Sequence, residues 1–212
     1  SGDTWRIVLA GTSYEVTAGA DLASVATAMA AKINLEAPDY AAAAEELAAA
    51  LVNHELELVY GGSSKGIMGV LADRMLELGG RVHGVIPRQL VAKEAAHSGL
   101  TRQHVVDSMH ERKTMMASLA DGFIAMPGGF GTLEELIEIV TWAQLRFHDK
   151  PCGILNVNGY FDQLLRFLDH AEAEGFLRAE SRRMLLADAK ADGLLRRFGD
   201  YKAPQVDKWI DG

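Results

Sequence analysis

The chain has 212 residues, enough for one compact domain with a sizeable core. Hydrophobic residues make up 49% and charged residues 24%, an ordinary globular balance, and the formal net charge is -8. An acidic body argues against a basic face for polymeric nucleic acid, but a local cluster of donors can still hold a small anion.

Two readings of the first 33 residues stay open. In the preferred one, Trp5-Arg6-Ile7-Val8-Leu9-Ala10 is the first strand of the main sheet and an insertion follows. In the other, Tyr14-Glu15-Val16-Thr17 pairs with it as a hairpin around Gly11-Thr12, so that residues 1–37 form a hairpin–helix appendage. Asp21 can then cap a helix carrying Leu22, Val25, Met29 and Ile33 on one side. An alanine-rich helix follows around residues 41–50.

From there strand-like and helix-like segments alternate. Strands are predicted over residues 56–60, 81–86, 103–106, 122–126 and 151–157, and helices over 67–78, 109–119, 132–146 and 161–174. Two weaker helices and a polar tail come after Glu180. This alternation implies an α/β fold, a parallel sheet with helices on both faces. Ligands bind such sheets at the carboxyl ends of the strands, where the glycines Gly61-Gly62 and Gly128-Gly129 with Gly131 cluster. Cys152, the one cysteine, sits in an apolar run and reads as a buried structural thiol suited to a reducing cytoplasm. No run of about 18 apolar residues occurs, so no membrane span is expected. The chain does not open on a basic stretch followed by an apolar one, so no secretory leader is expected.

The sharpest chemical signal is Pro127-Gly128-Gly129-Phe130-Gly131-Thr132-Leu133-Glu134-Glu135, between a predicted strand and a helix. Glycines let several backbone N–H groups converge, and a helix N-terminus adds free donors and partial positive charge. Together they make a phosphate cradle, to which Thr132 adds a hydroxyl or a helix cap; a plain tight turn is the alternative. The motif is neither a Walker loop nor the usual dinucleotide fingerprint. Glu135 falls in the first turn of the predicted helix, near where a phosphoribose would rest. Glu134 points about 100° away from it, and Glu138 lies one turn further along Glu135's side.

A second signal is Met109-His110-Glu111-Arg112-Lys113, where Met109, Arg112, Lys113 and Met116 share one helix face. Arginine can grip a carboxylate or phosphate with paired donors, and a solvated charge run is the alternative. A third signal, Tyr60-Gly61-Gly62-Ser63-Ser64-Lys65-Gly66-Ile67-Met68-Gly69, repeats the strand–glycine–helix logic and would wall the same pocket.

With Gly84-Val85-Ile86-Pro87, Thr141-Trp142-Ala143-Gln144 and His148-Asp149-Lys150-Pro151, these motifs make the chain resemble the Lonely Guy proteins. These are cytokinin riboside 5′-monophosphate phosphoribohydrolases, often mislabelled lysine decarboxylases. The resemblance runs from about Pro38 to the Lys208-Trp209 tail. It implies a Rossmann-like parallel sheet, an active site completed at a homodimer interface, and Arg112 and Glu135 as the catalytic pair. The binding set is Gly128, Gly129, Gly131, Thr132, Lys113, Gly61, Gly62, Met109 and Ser13. Ser13 belongs to Gly11-Thr12-Ser13, the counterpart of a family loop that here lies much further upstream than usual.

The expected reaction is hydrolysis of the N-glycosidic bond of a nucleoside 5′-monophosphate, giving free base and ribose 5-phosphate. Glu135 would stabilise the oxocarbenium-like state or activate water, and Arg112 would position the carboxylate or the phosphate. No metal or organic cofactor is expected to take part, and no membrane or polymeric nucleic acid is expected as partner. The alternatives are a non-catalytic nucleotide-binding module and a lysine decarboxylase, which would need a lysine bearing pyridoxal phosphate. Leu136, Ile139, Val140 and Ala143 form an apolar stripe on the helix after the cradle, with Ile137 and Trp142 beyond it. A monomer could bury them all; the resemblance favours a homodimer.

Overall fold

The structure is a computed structural model that describes residues 4–9, 12–17, 38–91 and 96–204, the first two stretches by their backbone pairing. The chain divides into two compact units, Ser1–Arg112 and Lys113–Gly212.

The first unit opens with β1 (Thr4–Leu9) and β2 (Thr12–Thr17), paired antiparallel as a two-stranded sheet with Leu9 opposite Thr12 and Thr4 opposite Thr17. The preferred reading of Trp5 to Ala10 as the first strand of the parallel sheet is therefore corrected in favour of the hairpin. Two residues separate β1 from β2, the commonest hairpin spacing, whereas a parallel neighbour needs a crossover of a dozen or more. The helix expected from Asp21 lies outside the described residues.

Pro38 opens α1 (Pro38–Asn53) at the position where a missing N–H costs nothing. The helix buries Ala43, Ala44, Leu47, Ala48 and Leu51, and the small alanines let it pack closely on α2 (Gly66–Glu77). That helix is the crossover from β3 (Leu58–Tyr60) to β4 (Val82–Pro87). β4 is central, with β3 and β5 (Arg102–Val106) parallel on its two sides. Its Val82, Val85 and Ile86 are fully buried, as expected for a parallel strand covered on both faces. Helix α3 (Met109–Leu119) begins at the end of this unit and has the bounds the sequence predicts.

The second unit repeats the pattern. β6 (Phe123–Ala125) leads through α4 (Phe130–Gln144) to β7 (Cys152–Leu155), then come α5 (Asp162–Ala173), α6 (Ala179–Arg182), β8 (Leu185–Asp188) and α7 (Ala191–Gly199). β7 is central and parallel to both neighbours. Ala125, Leu136, Ile154, Phe161 and Leu185 form the core cluster. β8 corrects the expectation of helices alone after Glu180. Leu185-Leu186-Ala187 contains no β-branched residue and reads as helix by propensity, but pairing with β7 decides its form. Cys152 is fully buried, and burial pushes its thiol up to about 12, which suits a structural role. Both three-stranded sheets are parallel, and helices connect β3 to β4, β6 to β7 and β7 to β8, so the fold is α/β.

Candidate active site

In the second unit the cradle forms where β6 gives way to α4. The helix begins at Phe130 rather than Thr132, because Gly129 acts as its N-cap and accepts the first helical bond, from the Leu133 N–H at 3.1 Å. Two expectations shift in consequence. Thr132 is the third residue of the helix and not its cap, and Glu135 lies in the second turn rather than the first.

Among the described residues no side chain caps the first-turn N–H groups, so they remain available as donors. Gly128 is required by packing, since an added Cβ would run into the Thr132 hydroxyl. Gly129 and Gly131 are different: a Cβ at either would meet none of the described residues within 4 Å, and neither has a positive φ. Neither the backbone nor the protein interior therefore calls for these two glycines, and the space beside them is open to a ligand. Tyr160 donates to the Gly128 carbonyl at 2.9 Å and holds the entry to the cradle. The sequence pattern gives no sign of this tyrosine, which is 32 residues away.

Lys113 is held by carboxylates, donating to Glu134 Oε1 at 2.7 Å and pairing with Glu138 Oε2 at 2.9 Å. The hydrogen bonds to Glu134 and Glu138 raise its pKa above the ordinary lysine value. The His148-Asp149-Lys150-Pro151 motif is structural. Lys150 Nζ donates to the carbonyls of Ala117 (2.8 Å) and Ala120 (2.6 Å) at the end of α3. The Lys150 backbone N–H donates to His148 Nδ1 (3.1 Å), so Nε2 carries the proton and donates to the Ile139 carbonyl (3.0 Å).

In the first unit the start of α3 is held by two side chains. Ser108 Oγ accepts from the Glu111 N–H at 3.1 Å, and Glu111 Oε2 reaches back to the Asp107 N–H at 2.8 Å. One turn on, Arg112 is 7% exposed. Its Nη2 donates to the Gly61 carbonyl at 3.3 Å, its Nη1 lies 3.8 Å from the Met109 sulfur, and its buried Nε has no partner among the described residues. A buried guanidinium with an idle donor is costly and suits an anionic or carboxylate partner. A Cβ at Gly61 would stand where the Arg112 guanidinium lies, so a larger residue there would displace that side chain. Gly62, at φ +76°, takes a backbone shape that other residues adopt only with strain. Met109 is thus a neighbour of Arg112 and largely exposed. Ser13 pairs with Val8 inside β2, in a strand and not a loop, and its side chain lies outside the described residues.

Comparison with known proteins fits this geometry. A family profile described as "Possible lysine decarboxylase" matches residues 68–198. A probable cytokinin riboside 5′-monophosphate phosphoribohydrolase of Oryza sativa subsp. japonica is 47% identical over 159 residues, 75% of this chain and 71% of the relative. A cytokinin riboside 5′-monophosphate phosphoribohydrolase of Arabidopsis thaliana is 47% identical over 163 residues, 77% of this chain and 72% of its own. The enzyme of the same name from Rhodococcoides fascians is 46% identical over 157 residues, covering 74% of this chain and 79% of its own. The chain belongs to the Lonely Guy family. The fold of this Lonely Guy protein recurs in solved structures of low identity. A molybdenum cofactor binding protein of Rippkaea orientalis superposes with a TM-score of 0.59 at 18% identity, over 77% of this chain and 88% of that one. The molybdenum cofactor carrier protein of Chlamydomonas reinhardtii gives 0.58 at 20%, over 77% and 88%.

Proposed function

We propose that this Lonely Guy protein is a phosphoribohydrolase that cleaves the N-glycosidic bond of a nucleoside 5′-monophosphate, releasing free base and ribose 5-phosphate. The observation that carries the reading is the pair Gly129 and Gly131, which neither packing nor backbone strain explains and which stand at the uncapped start of α4. Relatives 46–47% identical that are named for this hydrolysis support the same reaction. The phosphate rests on the N–H groups of the cradle and on the Thr132 hydroxyl, so binding energy remote from the scissile bond aligns the anomeric carbon. Glu135 meets the positive charge that develops on the ribose or takes a proton from water. Arg112 supplies a desolvated cation whose Nε donor can serve an anionic partner. Free base, a 5′-phosphate and a carboxylate account for the chemistry without polymeric nucleic acid, and the protein works as a homodimer in a reducing compartment such as the cytoplasm.

A lysine decarboxylase reading, which the family profile's description suggests, needs a lysine that can become neutral and form a Schiff base. Lys113 is held as an ammonium by two carboxylates, and Lys150 is committed to two carbonyls.

A panel of nucleoside monophosphates that includes AMP and isopentenyl-adenine riboside monophosphate, assayed for base and ribose 5-phosphate, tests the proposal. Base release is expected from nucleotides and on the order of 10²-fold less from adenosine. Glu135→Gln is expected to lose about 10²–10³-fold in kcat while still binding nucleotide. Equal turnover of adenosine and AMP, or full activity in Glu135→Gln, would overturn the assignment.

A further inference from the structure

The surroundings of Lys113 point away from the phosphate role expected of it. Its ammonium lies between Glu134 and Glu138, at 2.7 Å and 2.9 Å, and its side chain is only 18% exposed. One cation between two carboxylates leaves a net charge of -1 at that spot (+1 - 2 = -1), which repels a phosphate monoester. Glu134 and Glu138 are spaced i,i+4, so a single lysine grips one ridge of α4 at two points a full turn apart. The helix carrying Lys113 is itself fixed at its far end, where Lys150 donates to the Ala117 and Ala120 carbonyls.

We propose that Lys113 is a positioning residue: its double bridge to Glu134 and Glu138 sets the rotation of α4 about its axis and thereby aims Glu135, and it does not ligate the phosphate. The inference rests on Glu135 being the carboxylate that acts at the ribose. Successive helical residues are about 100° apart, so Glu135 follows any rotation allowed by the ridge beside it. At a side-chain radius of about 5–6 Å, a turn of about 10° moves the carboxylate by about 1 Å. A misplacement of that size costs on the order of 10²-fold in rate.

The test compares wild type with Lys113→Met and with the double swap Lys113→Glu/Glu134→Lys. The swap moves the lysine onto α4, where it faces Glu138 on its own helix and the exchanged carboxylate on α3. For a positioning lysine, Lys113→Met loses about 10-fold or more in kcat with AMP. Its KM and its preference for AMP over adenosine stay within about 3-fold of wild type, and the swap restores most of kcat. A phosphate ligand gives the opposite pattern: KM for AMP rises about 10-fold or more, the preference for AMP collapses, and the swap restores nothing. That pattern overturns the proposal. A double-mutant cycle of Lys113→Met and Glu134→Gln by urea unfolding judges the bridge without substrate. Coupling between the two sites is expected, and strict additivity overturns the clamp even if the enzyme is active. A wild type that releases no base from any nucleotide refutes the hydrolase reading, and the role assigned to Lys113 in catalysis falls with it.

Discussion

Gly131 is a glycine in the first turn of a helix where alanine would fit, since a Cβ there meets none of the described residues within 4 Å and φ is not positive. Stability alone favours the larger residue, because glycine loses more chain entropy on folding and is a poorer helix former. Gly131→Ala is therefore expected to stabilise the fold by up to about 1 kcal/mol, read as a higher urea midpoint. The same methyl group would stand where the phosphate approaches the N–H groups, so KM for AMP is expected to rise about 10-fold. A stabilised variant with unchanged KM would remove Gly131 from the cradle. Gly61 is the contrasting case. Its missing side chain makes room for the Arg112 guanidinium, so a larger residue there presses on a buried cation and not on solvent.

The elements that the sequence revealed are those whose own residues carry a strong period. α2 and α5 agree with the predicted spans to within a residue, and α3 matches because Ser108 and Glu111 announce its start locally. Contacts distant in sequence left no such trace: β8 exists through pairing with β7, Tyr160 reaches Gly128 across 32 positions, and Lys113 finds its carboxylates on a different helix. The site motifs were legible as residue types at turns, but the partners that fix them were not. Edge strand β5 holds another feature of this kind. His104 has a buried Nε2 without a hydrogen bond among the described residues, and its ring stacks on His83 at 6.4 Å between centroids. His83 in turn shares a 2.8 Å hydrogen bond with Glu57. Burial lowers the pKa of His104, and Arg102 and His83 lower it further. Its folded value thus lies below the unfolded one of about 6.5, so as pH falls the unfolded chain takes up this proton first. The stability that neutral His104 contributes is present above about pH 6.5 and is lost as pH falls from there towards the folded value. Urea midpoints of wild type are expected to drop between about pH 7.5 and about pH 5 by more than those of His104→Gln. Parallel curves for the two proteins would show that His104 does not contribute.

At the scale of the whole molecule, the surface of α4 bears on assembly. Leu136 and Ala143 are buried, and Leu133 and Val140 pack beside the core cluster, so the inner stripe is satisfied within the second unit. Ile137, Thr141 and Leu145, at i, i+4 and i+8, form an outer stripe with Ile137 at 43% and Leu145 at 44% exposure. Phe147 just beyond is 72% exposed, and Phe130 at the head of the helix 94%. The Thr141 hydroxyl already donates to the Ile137 carbonyl at 2.7 Å, so the stripe carries no charge or idle donor that needs water. An uncharged ridge about 12 Å long from Ile137 to Leu145 suits a two-fold contact in which the same surface meets its own copy. A stable interface covers about 800 Å² per partner, more than one helix face supplies, so the flanking Phe147 is expected to be covered too. The protein is accordingly expected to sediment as a dimer at micromolar concentration. Ile137→Asp combined with Leu145→Asp places two charges on a surface that association would dehydrate, and should give a folded monomer with activity reduced about 10-fold or more. Retained circular dichroism would separate loss of assembly from loss of fold. A wild-type monomer of 23.0 kDa with full activity would refute both the dimer and its part in completing the site.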